Sequence, residues 1–287
     1  MKFIEKKNTA DGERIRLHYE DLGQGQPIVF IHGWPSSHRM WEPQIGYFLE
    51  QGYRCIAYDR RGFGDSSRPL HGYSYDNFAD DLHEIITQLA LESVILVGFS
   101  MGGGEVARYF TRHGSSRISK AVLLGAVTPY LLATDDNPEG VDRAVFTDMI
   151  EEIKKDRPAF LENFFNDFFG LTMLHKAVSK PMLEYQRVIA CMAAPHATVQ
   201  CVKAFAETDF RGDLSNIDVP TLIIHGDADK IVPVEASGNR TSELVANSQY
   251  ILYPDAPHGF FLTHKDKLNK HLLAFFMDSS VEIEGEE

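Results

Sequence analysis

The chain has 287 residues, 44% of them apolar and 24% charged, the ordinary balance of a globular protein able to bury a sizeable core. Its formal net charge is −13, and no basic stretch is long enough to track a phosphate backbone, which argues against nucleic acid as a partner. The three cysteines, Cys55, Cys191 and Cys201, are an odd number without metal-ligand spacing, a usage that fits a reducing compartment.

Met1-Lys-Phe-Ile-Glu-Lys-Lys-Asn8 lacks the apolar stretch of a secretory signal, and no run approaches the roughly 18 apolar residues of a membrane helix. A cytoplasmic protein with no membrane partner is therefore expected. Residues 2–20 alternate around Ala10-Asp11-Gly12-Glu13, a hairpin signal. Short apolar runs then follow at 28–31, 54–58, 94–97, 121–125, 221–225 and 249–253. They alternate with helical patterns at 40–51, 75–90, 103–113, 235–246 and 264–277. This order predicts an α/β fold, a mostly parallel sheet flanked by helices.

Between Thr128 and Arg211 the alternation stops. Residues 141–155, 158–169 and 180–191 are all helical in pattern, so a helical cap at about 128–211 is expected, inserted into a single domain spanning 1–287. Phe160, Phe164 and Phe168 fall on one helical stripe, which Phe165 and Phe169 widen. The stripe packs the cap onto the sheet, and Phe164 and Phe168 are candidates to line a substrate pocket. The polar, acidic tail at 278–287 is expected to fray beyond the last helix.

The chemistry begins at Gly98-Phe99-Ser100-Met101-Gly102, a G-x-S-x-G pattern between a strand-like run and a helix-like run. That context is a nucleophile elbow. The turn is too tight for a Cβ two residues before or after the serine, and glycine removes the clash. A serine hydroxyl is a poor nucleophile until an imidazole takes its proton and a carboxylate fixes the imidazole tautomer. Both partners follow in the order this architecture uses. Pro220-Thr-Leu-Ile-Ile-His-Gly226 leads into Asp227-Ala-Asp229, and Tyr250-Ile-Leu-Tyr253 leads into Pro254-Asp-Ala-Pro-His258. An acid after one strand and a histidine after the next share a sheet edge with the elbow. Residue chemistry alone does not separate Asp227 from Asp229.

One oxyanion donor should be the backbone N–H of Met101, and the second should come from the loop after an earlier strand. Ile28-Val-Phe-Ile31, ended by His32-Gly33-Trp34-Pro35, supplies such a loop. His32 and His225 each precede a glycine at a strand end and read as loop anchors. A metal site from His225, Asp227 and His258 lacks a convincing third ligand at a recognised spacing. No G-x-G-x-x-G follows a strand. No cofactor and no metal are expected.

HGWP at 32–35, DRRGFGDS at 59–66, GFSMGGGE at 98–105, HGDADKIVP at 225–233 and DAPHG at 255–259 span most of the chain. In this order they resemble the cofactor-free, non-haem haloperoxidase, perhydrolase and arylesterase branch of the serine α/β-hydrolases. The resemblance implies the α/β-hydrolase fold, with Ser100, Asp229 and His258 as catalytic triad and Asp227 as a loop-ordering acid. It implies backbone N–H groups of Trp34 and Met101 as the oxyanion hole, with Trp34 also at the substrate. The Met101 side chain is a further pocket candidate, and the 59–67 loop is structural.

The implied reaction is hydrolysis of carboxylic esters or lactones through an acyl-enzyme on Ser100. Hydrogen peroxide as co-substrate in place of water would give a peracid, which oxidises halide without haem, vanadium or any metal. Pro35 lacks an N–H and restricts Trp34, and is expected to favour peroxide at this loop. The partner is a small acyl substrate, and the resemblance allows a homo-oligomer without selecting one. Amidase, lactamase or carbon–carbon bond hydrolase chemistry would use the same triad, and a slow-turnover ligand receptor would use the same scaffold. Dehalogenases and epoxide hydrolases on this fold need a carboxylate nucleophile, and Ser100 speaks against both.

Overall fold

The computed structural model describes residues 1–7, 12–172 and 176–279. The turn expected at 10–13 lies partly outside them, and 280–287 of the tail entirely so. The chain opens on a hairpin, β1 (Lys2–Lys7) and β2 (Arg14–Leu22), paired antiparallel. In β2 Ile15 and Leu17 are buried while Arg14 and Arg16 face out, until the buried His18 breaks the alternation. β3 (Pro27–Ile31) leads through a 3-10 turn (His38–Trp41) into α1 (Glu42–Glu50), β4 (Arg54–Tyr58) and α2 (Tyr75–Gln88). Then come β5 (Val94–Phe99), α3 (Met101–His113) and β6 (Ile118–Leu124).

The cap follows as α4 (Arg143–Phe168), α5 (Lys180–Cys191), α6 (Pro195–Glu207) and the single turn α7 (Arg211–Leu214). The chain returns to the sheet with β7 (Thr221–Gly226), α8 (Gly238–Leu244) and β8 (Ser248–Tyr253), and ends on α9 (Phe260–Thr263) and α10 (Lys265–Phe276).

The eight strands lie in the order β1-β2-β4-β3-β5-β6-β7-β8. From β4 to β8 all pairings are parallel. β3, β5 and β7 are buried along their whole length, because helices cover both faces of a parallel sheet; this is why they read as continuous apolar runs. β3 pairs with β4 on one side and β5 on the other, so the direction of strand addition reverses there. The loops leaving the carboxyl ends of β3 and β5 diverge at this point, where ligands of open α/β sheets bind.

Two local expectations change. The patterns at 141–155 and 158–169 join as one element, α4, interrupted at Asp156 (φ −157°, ψ 87°). Pro158 supplies no N–H to continue the ladder, and the Asp156 carboxylate instead accepts the Ala159 N–H at 3.1 Å. Helix α6 has no counterpart among the helical patterns of the sequence. It carries Thr198, Val199 and Val202, weak helix formers, and forms because Ala197, Cys201, Val202 and Phe205 bury one face. Among the described residues no single helix is long and apolar enough to cross a membrane.

Beneath the carboxyl edge lies an ion pair at zero exposure. Arg60 donates through Nε to Glu105 Oε2 at 2.7 Å, and its Nη2 lies 2.7 Å from the same oxygen. The Tyr58 hydroxyl also donates to Glu105. Removing one partner leaves an uncompensated buried charge, which costs about 3–5 kcal/mol. Glu105→Ala should therefore lower stability in urea unfolding by about that amount. A loss within the scatter of ordinary surface substitutions would show the pair to be unimportant.

Candidate active site

Ser100 joins β5 to α3 with φ 54° and ψ −118°, a conformation non-glycine residues rarely hold. The surrounding chain enforces it. A Cβ on Gly98 would lie 2.5 Å from the Gly102 carbonyl oxygen, and one on Gly102 would lie 2.4 Å from that of Ile31. The tight turn projects the Ser100 hydroxyl toward the segment after β8. There His258 Nε2 stands 2.9 Å from Ser100 Oγ. His258 Nδ1 lies 2.6 Å from Asp229 Oδ2, so the Nδ1–H tautomer donates to the carboxylate and Nε2 is left to accept. Asp229 Oδ1 accepts the backbone N–H groups of Ile231 and Val232, each at 2.8 Å. All three side chains are buried.

Asp227, the rival acid, is exposed and accepts the Asp255 N–H at 2.6 Å, tying its loop to the one that carries His258. Burial alone would raise the Asp229 carboxyl. The His258 charge, the His258 hydrogen bond and the nearby His225 ring outweigh that and hold it well below the usual carboxylate range.

The loop after β3 approaches Ser100 from the other side. A Cβ on Gly33 would lie 3.1 Å from Ser100 Cβ and 2.7 Å from the Phe99 ring, so only glycine lets this segment pass. The loop is anchored below by His32. Its Nδ1 lies 2.8 Å from the Gly33 carbonyl, its Nε2 accepts the Arg60 N–H at 3.0 Å, and Arg60 Nη2 donates to its carbonyl at 2.9 Å. Burial, aided by the Arg60 charge, pushes the His32 imidazole down to about 3, so it stays neutral in these bonds. Among the described residues the backbone N–H groups of Trp34 and Met101 have no protein acceptor. The Trp34–Pro35 peptide bond is cis.

Ser100 opens onto a cavity of about 420 Å³. Trp34, Phe160, Phe164 and Phe205 form its aromatic wall, and Val127, Leu131, Ile231 and Val232 supply aliphatic surface. The Trp34 indole donates to the Thr198 carbonyl at 3.1 Å and meets Phe164 edge-on, with ring centroids 5.4 Å apart. Glu152, Asn163, Asp167 and Lys230, all exposed, contribute the polar part of the lining.

Of the candidates named from sequence, Trp34 and Phe164 line this cavity and Phe168 does not. One turn further along α4, Phe168 packs edge-on against the His258 ring at 4.9 Å and against Phe99 at 6.1 Å, so it walls the histidine rather than the pocket. The Met101 side chain is likewise wholly buried and absent from the lining. Phe160 belonged to the visible stripe. Phe205 had no signal, because the helix that carries it was not legible.

His18, His38 and Asp59 also lie close enough together to share an ion. Asp59 Oδ1 already accepts the His38 N–H and lies 2.8 Å from His38 Nδ1, and its Oδ2 accepts the Asp65 N–H at 2.9 Å. Those bonds brace the 59–67 loop.

Residues 26–265 match the family model described as alpha/beta hydrolase fold. The chain is 50% identical over 273 residues to a non-haem chloroperoxidase-type protein of Synechocystis sp., covering 95% of this chain and 98% of that one. It is 38% identical over 270 residues to a bifunctional esterase/perhydrolase of Acinetobacter calcoaceticus, covering 93% and 97%. Among solved structures, a bromoperoxidase from Bacillus anthracis superposes with a TM-score of 0.90 at 47% identity, covering 96% of this chain and all of the other.

The depressed Asp229 carboxyl sets an acid limit on stability. Its contribution is fully present above the unfolded value, near pH 4, and is lost as pH falls through the folded value. Asp229→Asn lacks that ionisation, so its stability should decline less steeply than the native protein's between about pH 5 and pH 2. Urea unfolding across that range checks this; parallel curves would contradict it.

Proposed function

Because the chain belongs to the α/β-hydrolase fold family, in its non-haem haloperoxidase branch, we propose that it is a serine hydrolase of carboxylic esters, lactones included, with perhydrolase activity. One observation carries this reading. Ser100, His258 and Asp229 form an unbroken chain of hydrogen bonds whose serine end opens onto an apolar cavity.

In this reading His258 Nε2 takes the Ser100 proton as Oγ attacks the ester carbonyl. Asp229 holds the imidazole tautomer and stabilises the imidazolium. The Trp34 and Met101 N–H groups take up the charge on the carbonyl oxygen, where one such donor is worth about two to three orders of magnitude in rate. His258 returns the proton to the leaving alcohol. Water, deprotonated by His258, then attacks the acyl-serine and releases the acid. Hydrogen peroxide attacking the same acyl-serine releases a peracid and restores the Ser100 hydroxyl. The aromatic and aliphatic cavity wall favours uncharged, apolar acyl groups. No observation favours the amidase, carbon–carbon hydrolase or receptor readings over this one.

Ser100→Ala should remain folded and lose about six orders of magnitude in p-nitrophenyl acetate turnover, the usual effect of removing a triad nucleophile. Asp229→Asn should lower kcat by roughly 10⁴, since an amide selects the wrong imidazole tautomer, while Asp227→Asn should act mainly on stability. Retained turnover in the purified serine variant, or a larger activity loss at Asp227, would overturn these assignments.

Acetate and hydrogen peroxide together should yield peracetic acid, read as bromide oxidation. The signal should vanish in Ser100→Ala. An undiminished signal in that variant would mean that peroxide chemistry runs elsewhere in the molecule.

A further inference from the structure

His225 stands at the end of β7, wholly buried, and the reaction scheme above gives it no part. Its Nε2 lies 2.9 Å from the Val232 carbonyl oxygen and 3.3 Å from Asp229 Oδ2, the same oxygen that receives His258 Nδ1–H. Both neighbours are acceptors, so Nε2 must carry the proton. The other nitrogen, Nδ1, has no partner, and it faces Gly238 so closely that a Cβ there would lie 2.7 Å away. A third neighbour of Nε2, the Ser237 hydroxyl at 3.5 Å, gives its own proton to the Pro233 carbonyl at 2.6 Å and so does not compete for the donor role.

We propose that His225 is a positioning residue of the active site, an Nε2–H donor that tethers the 229–232 turn through the Val232 carbonyl and so aims the Asp229 carboxylate at His258. This deepens the serine-hydrolase reading and rests on it. The Asp229 carboxylate is surrounded by four N–H groups. Oδ1 takes the Ile231 and Val232 amides, Oδ2 takes His258 Nδ1–H, and His225 Nε2 stands 3.3 Å from Oδ2 while its hydrogen bond goes to the Val232 carbonyl. His225 serves both ends of this cradle, because the residue whose carbonyl it holds, Val232, is also one whose amide holds Oδ1. Without that N–H, the 229–232 turn keeps its amide bonds but loses its tether to β7, and Oδ2 can swing off the line to His258. A small error in the direction of one catalytic partner is expensive in rate and leaves substrate binding alone.

The test has one measurement on the native protein and two on variants. In native protein carrying 15N-labelled histidine, long-range 1H–15N correlation at pH 8 should show the His225 proton on Nε2 and none on Nδ1. A proton on Nδ1 overturns the proposal without any variant. His225→Leu keeps a comparable volume without a donor. It should lower kcat for p-nitrophenyl acetate about tenfold, the rate equivalent of one neutral hydrogen bond, with KM unchanged and the low-field His258 Nδ1–H resonance shifted. His225→Gln reaches the same place with an amide N–H and should restore most of kcat and the resonance. Equal damage by glutamine and leucine, or native kcat in the leucine variant, overturns the proposal. Should neither variant fold, the native tautomer decides alone. The proposal fails separately from the reading beneath it: an active Ser100→Ala sinks the hydrolase, whereas an inactive Ser100→Ala beside a fully active His225→Leu sinks only His225.

Discussion

The backbone at Ser100, held at φ 54° between a buried strand and a helix, is the constraint around which the site is assembled. It survives only because neighbouring segments leave it no alternative. β5 delivers the residue from a fully buried core, where Ser100 N–H donates to the Leu124 carbonyl of β6 at 2.8 Å. Helix α3 begins at the next residue, with its N-terminal turn pressed against the end of β3 through Gly102. Strain of this kind costs of order 1–3 kcal/mol and needs a surrounding structure that over-determines it. In return the hydroxyl is fixed in direction, and proximity to His258 is built in before substrate arrives.

The same packing carries the loop after β3. Arg60 is the junction, paired with Glu105 on α3 and bonded to the His32 carbonyl at the end of β3. One buried cation therefore couples the helix that follows the nucleophile to the loop that faces it. A buried ion pair is a poor source of net stability, but this one has a direction. Its fixed fork sets the loop against the elbow, where preorganised N–H donors must stand before charge develops on a carbonyl oxygen.

The cap divides its work along one helix. Phe160 and Phe164 of α4 face the cavity, and one turn on Phe168 closes over the imidazole of His258. The Phe168 carbonyl accepts the Gly259 N–H at 2.7 Å, so the end of α4 is stitched to the histidine loop itself. The cap thus packs on His258 as well as lining the cavity. Lys230, next to Asp229, lies 3.6 Å from Asp167 of the same helix α4, at the polar part of the cavity wall.

The sequence by itself determined the elbow, the order of serine, acid and histidine, and the alternation of buried strands and helices. Each is dictated over a few consecutive residues, by glycines that a turn cannot replace and by apolar runs that only a doubly covered sheet can hold. The choice between Asp227 and Asp229 came from family resemblance, since two acids two residues apart have the same local chemistry. Only the tertiary structure turned the Asp229 carboxylate onto His258 and the Asp227 carboxylate onto the Asp255 N–H. It also decided that α6 is a helix, that Phe205 reaches the cavity while Phe168 reaches the histidine, and that His225 touches the acid. These outcomes depend on contacts between segments far apart in the chain. A side chain's neighbours across such a gap are set by the packing of whole helices and strands, which no local pattern encodes.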